Sequence, residues 1–159
     1  MNCKAYASIL GLVCLALGFL MSCGSSSTPP LVLNVNNAGS LQKLWSYTTG
    51  DAVACTPAVV NGVVYVGSAD DNVYALNAST GAKLWSYTTG SSVDSSPAVV
   101  NGMVYVGSGD FNVYALNAST GAKLWSYTTG SFVTYGPAVA NSVVYIGSFD
   151  RNVYAFGLP

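Results

Sequence analysis

A unit of 40 residues, repeated with almost no change, constrains this chain more than any other feature. Trp45, Trp85 and Trp125 stand 40 residues apart, and Pro57, Pro97 and Pro137 keep the same spacing, as do Tyr65, Tyr105 and Tyr145. Residues 72–90 read NVYALNASTGAKLWSYTTG, and residues 112–130 repeat them letter for letter. A period of this length marks like units that cannot bury their own apolar surface and must stack on one another. The near-identity of the copies points to recent duplication.

Within a unit the chemistry is that of strands. Val63-Val64-Tyr65-Val66 and Val73-Tyr74-Ala75-Leu76 are short β-branched or aromatic runs bounded by turn residues. They are apolar at both alternating positions, so both faces of the sheet should be covered. Asn61-Gly62 and Asn101-Gly102 lie between apolar runs and suit the two positive φ angles of a type I′ hairpin. Asn141-Ser142 replaces them in the third unit and should turn less favourably. A second hairpin uses Asp70-Asp71-Asn72, Asp110-Phe111-Asn112 and Asp150-Arg151-Asn152, with Asp bonding nearby backbone N–H groups and Asn expected in the left-handed position. A third turn over 77–81 leads into Lys83-Leu84-Trp85-Ser86-Tyr87. Each period should therefore hold four strands in a meander, the make-up of a β-propeller blade. The expected fold is all-β, with three four-stranded antiparallel blades over residues 41–159 forming a partial or oligomer-completed propeller.

The first residues read as an export signal. Lys4 precedes an apolar stretch over 9–21, and thirteen residues are too few to cross a hydrocarbon core of about 30 Å as a helix. Leu20-Met21-Ser22-Cys23-Gly24 resembles the lipobox of bacterial lipoproteins, although Met21 is a less usual occupant of its place. That resemblance implies a signal peptide over 1–22, diacylglycerol on the Cys23 thiol, and a tether over 23–40 that is Ser-, Thr- and Pro-rich near its start. Cys3 and Cys14 would leave with the leader. Export permits disulfides, but Cys55 would have no partner in the domain and reads as a small apolar filler, matching Ser95 and Tyr135 in the other units. The expected location is the bacterial envelope, with Gly24 after Cys23 fitting an outer membrane and the domain facing the periplasm or the cell surface.

Blades of this length also occur in the WD-repeat family, but no Gly-His or Trp-Asp pair is present. Instead, Ala75-Leu76-Asn77-Ala78-Ser79-Thr80-Gly81-Ala82-Lys83-Leu84-Trp85, and its copy from Ala115 to Trp125, resembles the tryptophan-docking motif of the pyrroloquinoline-quinone-type propeller repeat family. Asn77 and Asn117 stand where that family commonly has aspartate. The resemblance implies that Trp45, Trp85 and Trp125 dock between blades while Ala75, Ala115, Gly81 and Gly121 leave room for them. Burying an indole removes about 150–250 Å² from water, a gross gain of about 4–6 kcal/mol.

Composition narrows the function. Histidine and glutamate are absent and only 7% of residues are charged, which removes the commonest general base and metal ligand. Lys43, Lys83, Lys123 and Arg151 are scattered, so no basic patch for nucleic acid forms. The repeat family includes quinoprotein dehydrogenases, which the resemblance would equip with calcium, a catalytic aspartate and a vicinal disulfide. Here there are no adjacent cysteines, and the single acidic pair, Asp70-Asp71, lies in a turn. Calcium wants 6–8 oxygen ligands, so no catalytic residue, metal or cofactor is expected. The family also includes the propeller lipoprotein of the outer-membrane β-barrel assembly machinery, which this chain resembles in anchor and repeat. That resemblance implies a protein-binding or scaffolding module whose partners are envelope proteins. Phe111, Phe149, Arg151 and Asp71 in the second-hairpin turns are candidate contacts, with Asp51, Asp94, Phe132 and Tyr135 near the crossings between units. A surface-displayed adhesion repeat and a degenerate dehydrogenase fragment are the alternatives. Propellers close with 4–8 blades, so three should self-associate or belong to a longer array.

Overall fold

The computed structural model describes residues 37–157. The expectations for residues 1–36, including lipidation at Cys23, lie outside the described residues. The chain divides into two units, Met1–Leu41 and Gln42–Pro159. Described residues of the first unit include a 3-10 turn at Ala38–Ser40.

The described strands all fall in the second unit. The first sheet is β1 (Ala58–Val60), β2 (Val63–Gly67), β3 (Asn72–Asn77) and β4 (Lys83–Thr88). The second is β5 (Ala98–Val100), β6 (Met103–Gly107), β7 (Asn112–Asn117) and β8 (Lys123–Thr128). The third is β9 (Ala138–Ala140), β10 (Val143–Gly147) and β11 (Val153–Phe156). All pairings are antiparallel between sequence neighbours, giving sheets of four, four and three strands, the pattern of partial propeller blades. A fourth strand of the third sheet, 40 residues on from Lys123, would begin beyond the 159 residues of the sequence. Residues 43–49 carry the sequence of β4 and β8 but have no strand partner among the described residues.

Alternation along the strands builds the stack. Tyr65, Val73, Ala75 and Trp85 of the first sheet pack with Val104, Val106, Tyr114 and Leu116 of the second. On the other face of the first sheet, Val66, Tyr74 and Leu76 are covered by Trp45, Tyr47 and Cys55. Val113 of the second sheet packs with Val133, Ile146, Tyr154 and Phe156. The middle sheet is thus clothed on both sides, which is why β7 is buried almost throughout.

The β1–β2 and β5–β6 turns have both central residues left-handed, with φ 50° and 75° at Asn61-Gly62 and 51° and 75° at Asn101-Gly102. In the third, Ser142 is held at φ 62°. The second hairpin departs from expectation. The left-handed residue is the middle one, with φ 70° at Asp71, 73° at Phe111 and 74° at Arg151, and not the asparagine that follows. The cause is the aspartate. Its Oδ1 accepts the N–H of the residue two places on, at 3.2 Å for Asn72, 3.0 Å for Asn112 and 2.9 Å for Asn152. That ring ties the asparagine into the coming strand and leaves the residue between to make the turn.

Candidate partner-binding surface

Two recurrent joints hold consecutive sheets in place and thereby position the loops at their ends. In the first, an indole lies on a glycine. A Cβ on Gly81 would come within 2.6 Å of Trp45, and one on Gly121 within 2.7 Å of Trp85. Both glycines are left-handed, so the absence of a side chain serves both the turn and the close approach. Each indole Nε1 donates to a carbonyl in the same turn, Ala78 at 2.9 Å and Ala118 at 3.0 Å. Ala75 and Ala115 are buried and sit opposite Trp85 and Trp125 across the β3–β4 and β7–β8 ladders. Trp125 differs. It is 38% exposed where Trp85 is 9%, and it meets Phe156 edge-on at 4.8 Å. Gly81 and Gly121 each follow their tryptophan by 36 residues, and the corresponding position for Trp125 lies beyond residue 159.

The second joint is an aspartate. Asp70 Oδ2 accepts the Gly50 N–H at 2.6 Å and the Tyr74 hydroxyl at 2.7 Å. Asp110 takes Gly90 and Tyr114, and Asp150 takes Gly130 and Tyr154, in the same manner. Burial pushes the Asp70 and Asp110 carboxyls upward, but the hydrogen bonds from tyrosine, glycine and asparagine outweigh it and hold both below the ordinary range. At Asp150 the Tyr154 hydroxyl leads and the carboxyl falls to about 2. Burial and the Asp70 hydrogen bond together raise the Tyr74 hydroxyl to about 12. Among the described residues, no three histidine, cysteine or acidic side chains gather where they could hold a metal ion.

Cys55 is half-buried, and its thiol is raised by burial. Its Sγ accepts the Gly67 N–H at 3.2 Å, as Ser95 Oγ accepts Gly107 N–H at 3.0 Å. Beyond filling space, it therefore bonds the backbone as a serine would.

These joints bring the hairpin turns of one edge against the crossings between sheets. The backbone bonds Ala69 N–H to Ala52 carbonyl, Gly109 to Ser92 and Phe149 to Phe132 are equivalent, at 2.8, 2.8 and 3.0 Å. Small residues occupy the first two. Only the third carries two aromatics. Phe111 and Phe132 meet edge-on at 5.0 Å, and Tyr135 stacks on Phe149 at 5.9 Å with planes 10° apart. Exposure remains high: 50% at Phe132, 55% at Phe149 and 68% at Tyr135. Arg151, Tyr135 and Phe149 line a surface recess of about 390 Å³. The structure therefore brings Phe111, Phe149 and Arg151 to the same end of the stack. Asp71 occupies the Phe111 position one unit earlier. The pairing of Phe111 with Phe132 joins two regions that the sequence offers separately, and the one signal for it is that both are positions where the units differ.

A family described as outer membrane protein assembly factor BamB matches residues 32–157. A comparison with curated proteins gives no match. Among solved structures, BamB from Moraxella catarrhalis superposes with a TM-score of 0.64 at 22% identity over 71% of this chain. A quinohemoprotein alcohol dehydrogenase from Pseudomonas putida HK5 gives 0.63 at 30% identity over 70%, and a europium-containing methanol dehydrogenase 0.68 at 26% over 79%. This chain spans 36%, 20% and 26% of those three chains respectively.

Proposed function

The chain belongs to the family of the outer membrane protein assembly factor BamB, and on that premise we propose that it is a non-catalytic, lipid-anchored propeller module that binds proteins at the bacterial envelope. The observation that carries this reading is the exposed aromatic row at the edge of the second and third sheets. Phe111 is held left-handed at φ 73°, a conformation costing about 1–2 kcal/mol for a residue with a Cβ. Its ring is still more than one-third exposed. Asp71 and Arg151 share that left-handed turn in the other units. What sets Phe111 apart is a large apolar ring at a position that a charged side chain fills elsewhere. That ring is joined to Phe132 and, through the Phe132 crossing, to the exposed Phe149 and Tyr135. Aromatics and arginine are the residues enriched at the centres of protein interfaces.

A metal–quinone centre of the kind the dehydrogenase relatives suggest has no matching donor set among the described residues. Asp70, Asp110 and Asp150 stand one per hairpin, each already accepting a tyrosine hydroxyl and backbone N–H groups. A hard cation needs several oxygens converging on one point.

The test is photocrosslinking in native membranes, with the photoreactive residue at Phe149 or, as control, at Ser79 in an exposed turn far along the unit. Adducts with other envelope proteins should form from Phe149 and be lost when Phe111 and Phe132 are changed to Ser. Equal labelling from Ser79, or none from Phe149, sinks the reading.

A further inference from the structure

Lysines that stand far apart in the sequence all fall at one end of the stack. We propose that this end, where Lys43, Lys83 and Lys123 each precede an exposed leucine, lies against an anionic membrane surface, the one that takes up the lipid on Cys23. This rests on the lipid anchor of the reading above and not on the aromatic row.

Strand direction sorts the charges. β3 leaves the aspartate hairpin at Asn72 and ends at Asn77, and β4 starts at Lys83 and runs back to Thr88. β7 and β8 repeat this course with Lys123. Residues 43–50 have the sequence of 83–90, and the Trp45 and Gly50 bonds match those of Trp85 and Gly90, so Lys43 stands at the same end. The Ala78 N–H bonds the Gly62 carbonyl and the Ala118 N–H that of Gly102, both at 2.9 Å, which brings the asparagine–glycine hairpins here as well. None of these turns carries a charge. Asp70, Asp71, Asp110 and Asp150 stand in the hairpins of the opposite end. Asp51 and Asp94 lie beside them, in crossings that bond Ser68 through the Asp51 carbonyl and the Val93 N–H. Those six are all the acidic side chains of the sequence.

Each lysine is exposed, and so is the leucine that follows it. Leu84 is 52% exposed and Leu124 54%. Leu84 has the whole of the next unit beside it, so this exposure belongs to the position within the unit and not to either end of the chain. A single wet leucine needs no explanation. Successive units repeat it, each time beside a lysine whose stem can follow apolar surface while its ammonium reaches a phosphate. That is the make-up of a surface that rests on lipid headgroups. Lysine on an edge strand also discourages pairing with other chains, but that role accounts for neither the leucine nor the missing acids.

The covalent path selects the same end. The chain from Cys23 reaches the second unit at Gln42 and meets Lys43 next, so a lipid on Cys23 tethers the lysine end. Attraction between exposed charges fades beyond about 8–10 Å in ordinary salt, so the end held close is the one that feels the membrane. The aspartate end is repelled by the same surface and turns the aromatic row away from it.

The experiment uses the full chain, extracted in detergent and reconstituted into phosphatidylcholine vesicles with or without phosphatidylglycerol. A trace of lipid carries a diazirine high on its acyl chain, and mass spectrometry maps the adducts after illumination. Adducts are expected within 42–48, 82–88 and 122–128 and not at Phe111, Phe132 or Phe149. They should fall on the order of tenfold or more when phosphatidylglycerol is omitted, or when Lys43→Glu, Lys83→Glu and Lys123→Glu are combined. The three changes to Arg should preserve them, and circular dichroism should be the same for all, since the positions are exposed. Adducts spread evenly over both ends, or gathered at the aromatic end, overturn the proposal and leave the anchor standing. So do adducts at the lysine end that neither the lipid nor the Glu variant alters. A chain that washes off the vesicles defeats the anchor, and the proposal with it.

Discussion

Gly121→Ala and Gly102→Ala separate what the backbone needs from what the indole needs. The two glycines have nearly the same φ, 74° and 75°. A methyl group on Gly102 meets nothing within 4 Å, so that variant bears only the left-handed strain of about 1–2 kcal/mol, partly offset by a stiffer unfolded chain, a net loss of about 1 kcal/mol. The same methyl on Gly121 falls 2.7 Å from two carbons of the Trp85 ring, where carbon atoms ordinarily rest about 3.5–4.0 Å apart. The ring must move by most of an ångström. It is packed in the core between the first two sheets and pinned by its bond to the Ala118 carbonyl. Overpacking of this kind costs about 1–3 kcal/mol, and losing the indole bond about 1 kcal/mol more. Gly121→Ala should therefore destabilise by about 3–5 kcal/mol, against about 1 for Gly102→Ala. Guanidinium titration followed by tryptophan fluorescence and far-ultraviolet circular dichroism measures both. Coincident midpoints would refute the docking role of the tryptophan.

Other outcomes follow from the turns and the aspartates. Ser142→Gly relieves a φ of 62° where the other units have glycine, and should stabilise by about 1 kcal/mol, seen as a higher Tm; a lower one contradicts the turn assignment. Asp70, Asp110 and Asp150 ionise more readily in the folded chain than in the unfolded one, so they stabilise above the ordinary aspartate pKa of about 3.9. That contribution should fade as pH falls from near 4 towards 2, and Asp150→Asn should flatten the fall in an acid titration of stability. The Tyr74 hydroxyl, raised to about 12, works in the opposite sense, stabilising below about pH 10 and losing that effect as pH climbs through 12.

Much of this architecture was open to inspection in the chain itself. Strand positions, the asparagine–glycine hairpins and the tryptophan–glycine spacing all follow from local chemistry, and local chemistry is what repeats. Propensity points to asparagine as the left-handed residue of the second hairpin, one place too late, because the aspartate–amide bond decides which residue is free to turn. Trp85 and Trp125 lie in identical stretches, yet one is buried and the other partly open. Nothing within those stretches can distinguish them, because burial depends on what stands 36 residues further on. Phe111 and Phe132 were each visible as departures from the repeat. That their rings touch is a property of how consecutive sheets are turned, which periodicity alone does not specify.

The aspartate joint has a bearing on how such a chain can change in length. Gly50 to Asp70, Gly90 to Asp110 and Gly130 to Asp150 all reach across the same twenty positions. The instructions for attaching a sheet are carried inside the stretch of chain that makes it. A gene that gains or loses one such stretch therefore gains or loses a complete module together with its own fastener, and no distant residue has to be revised to match.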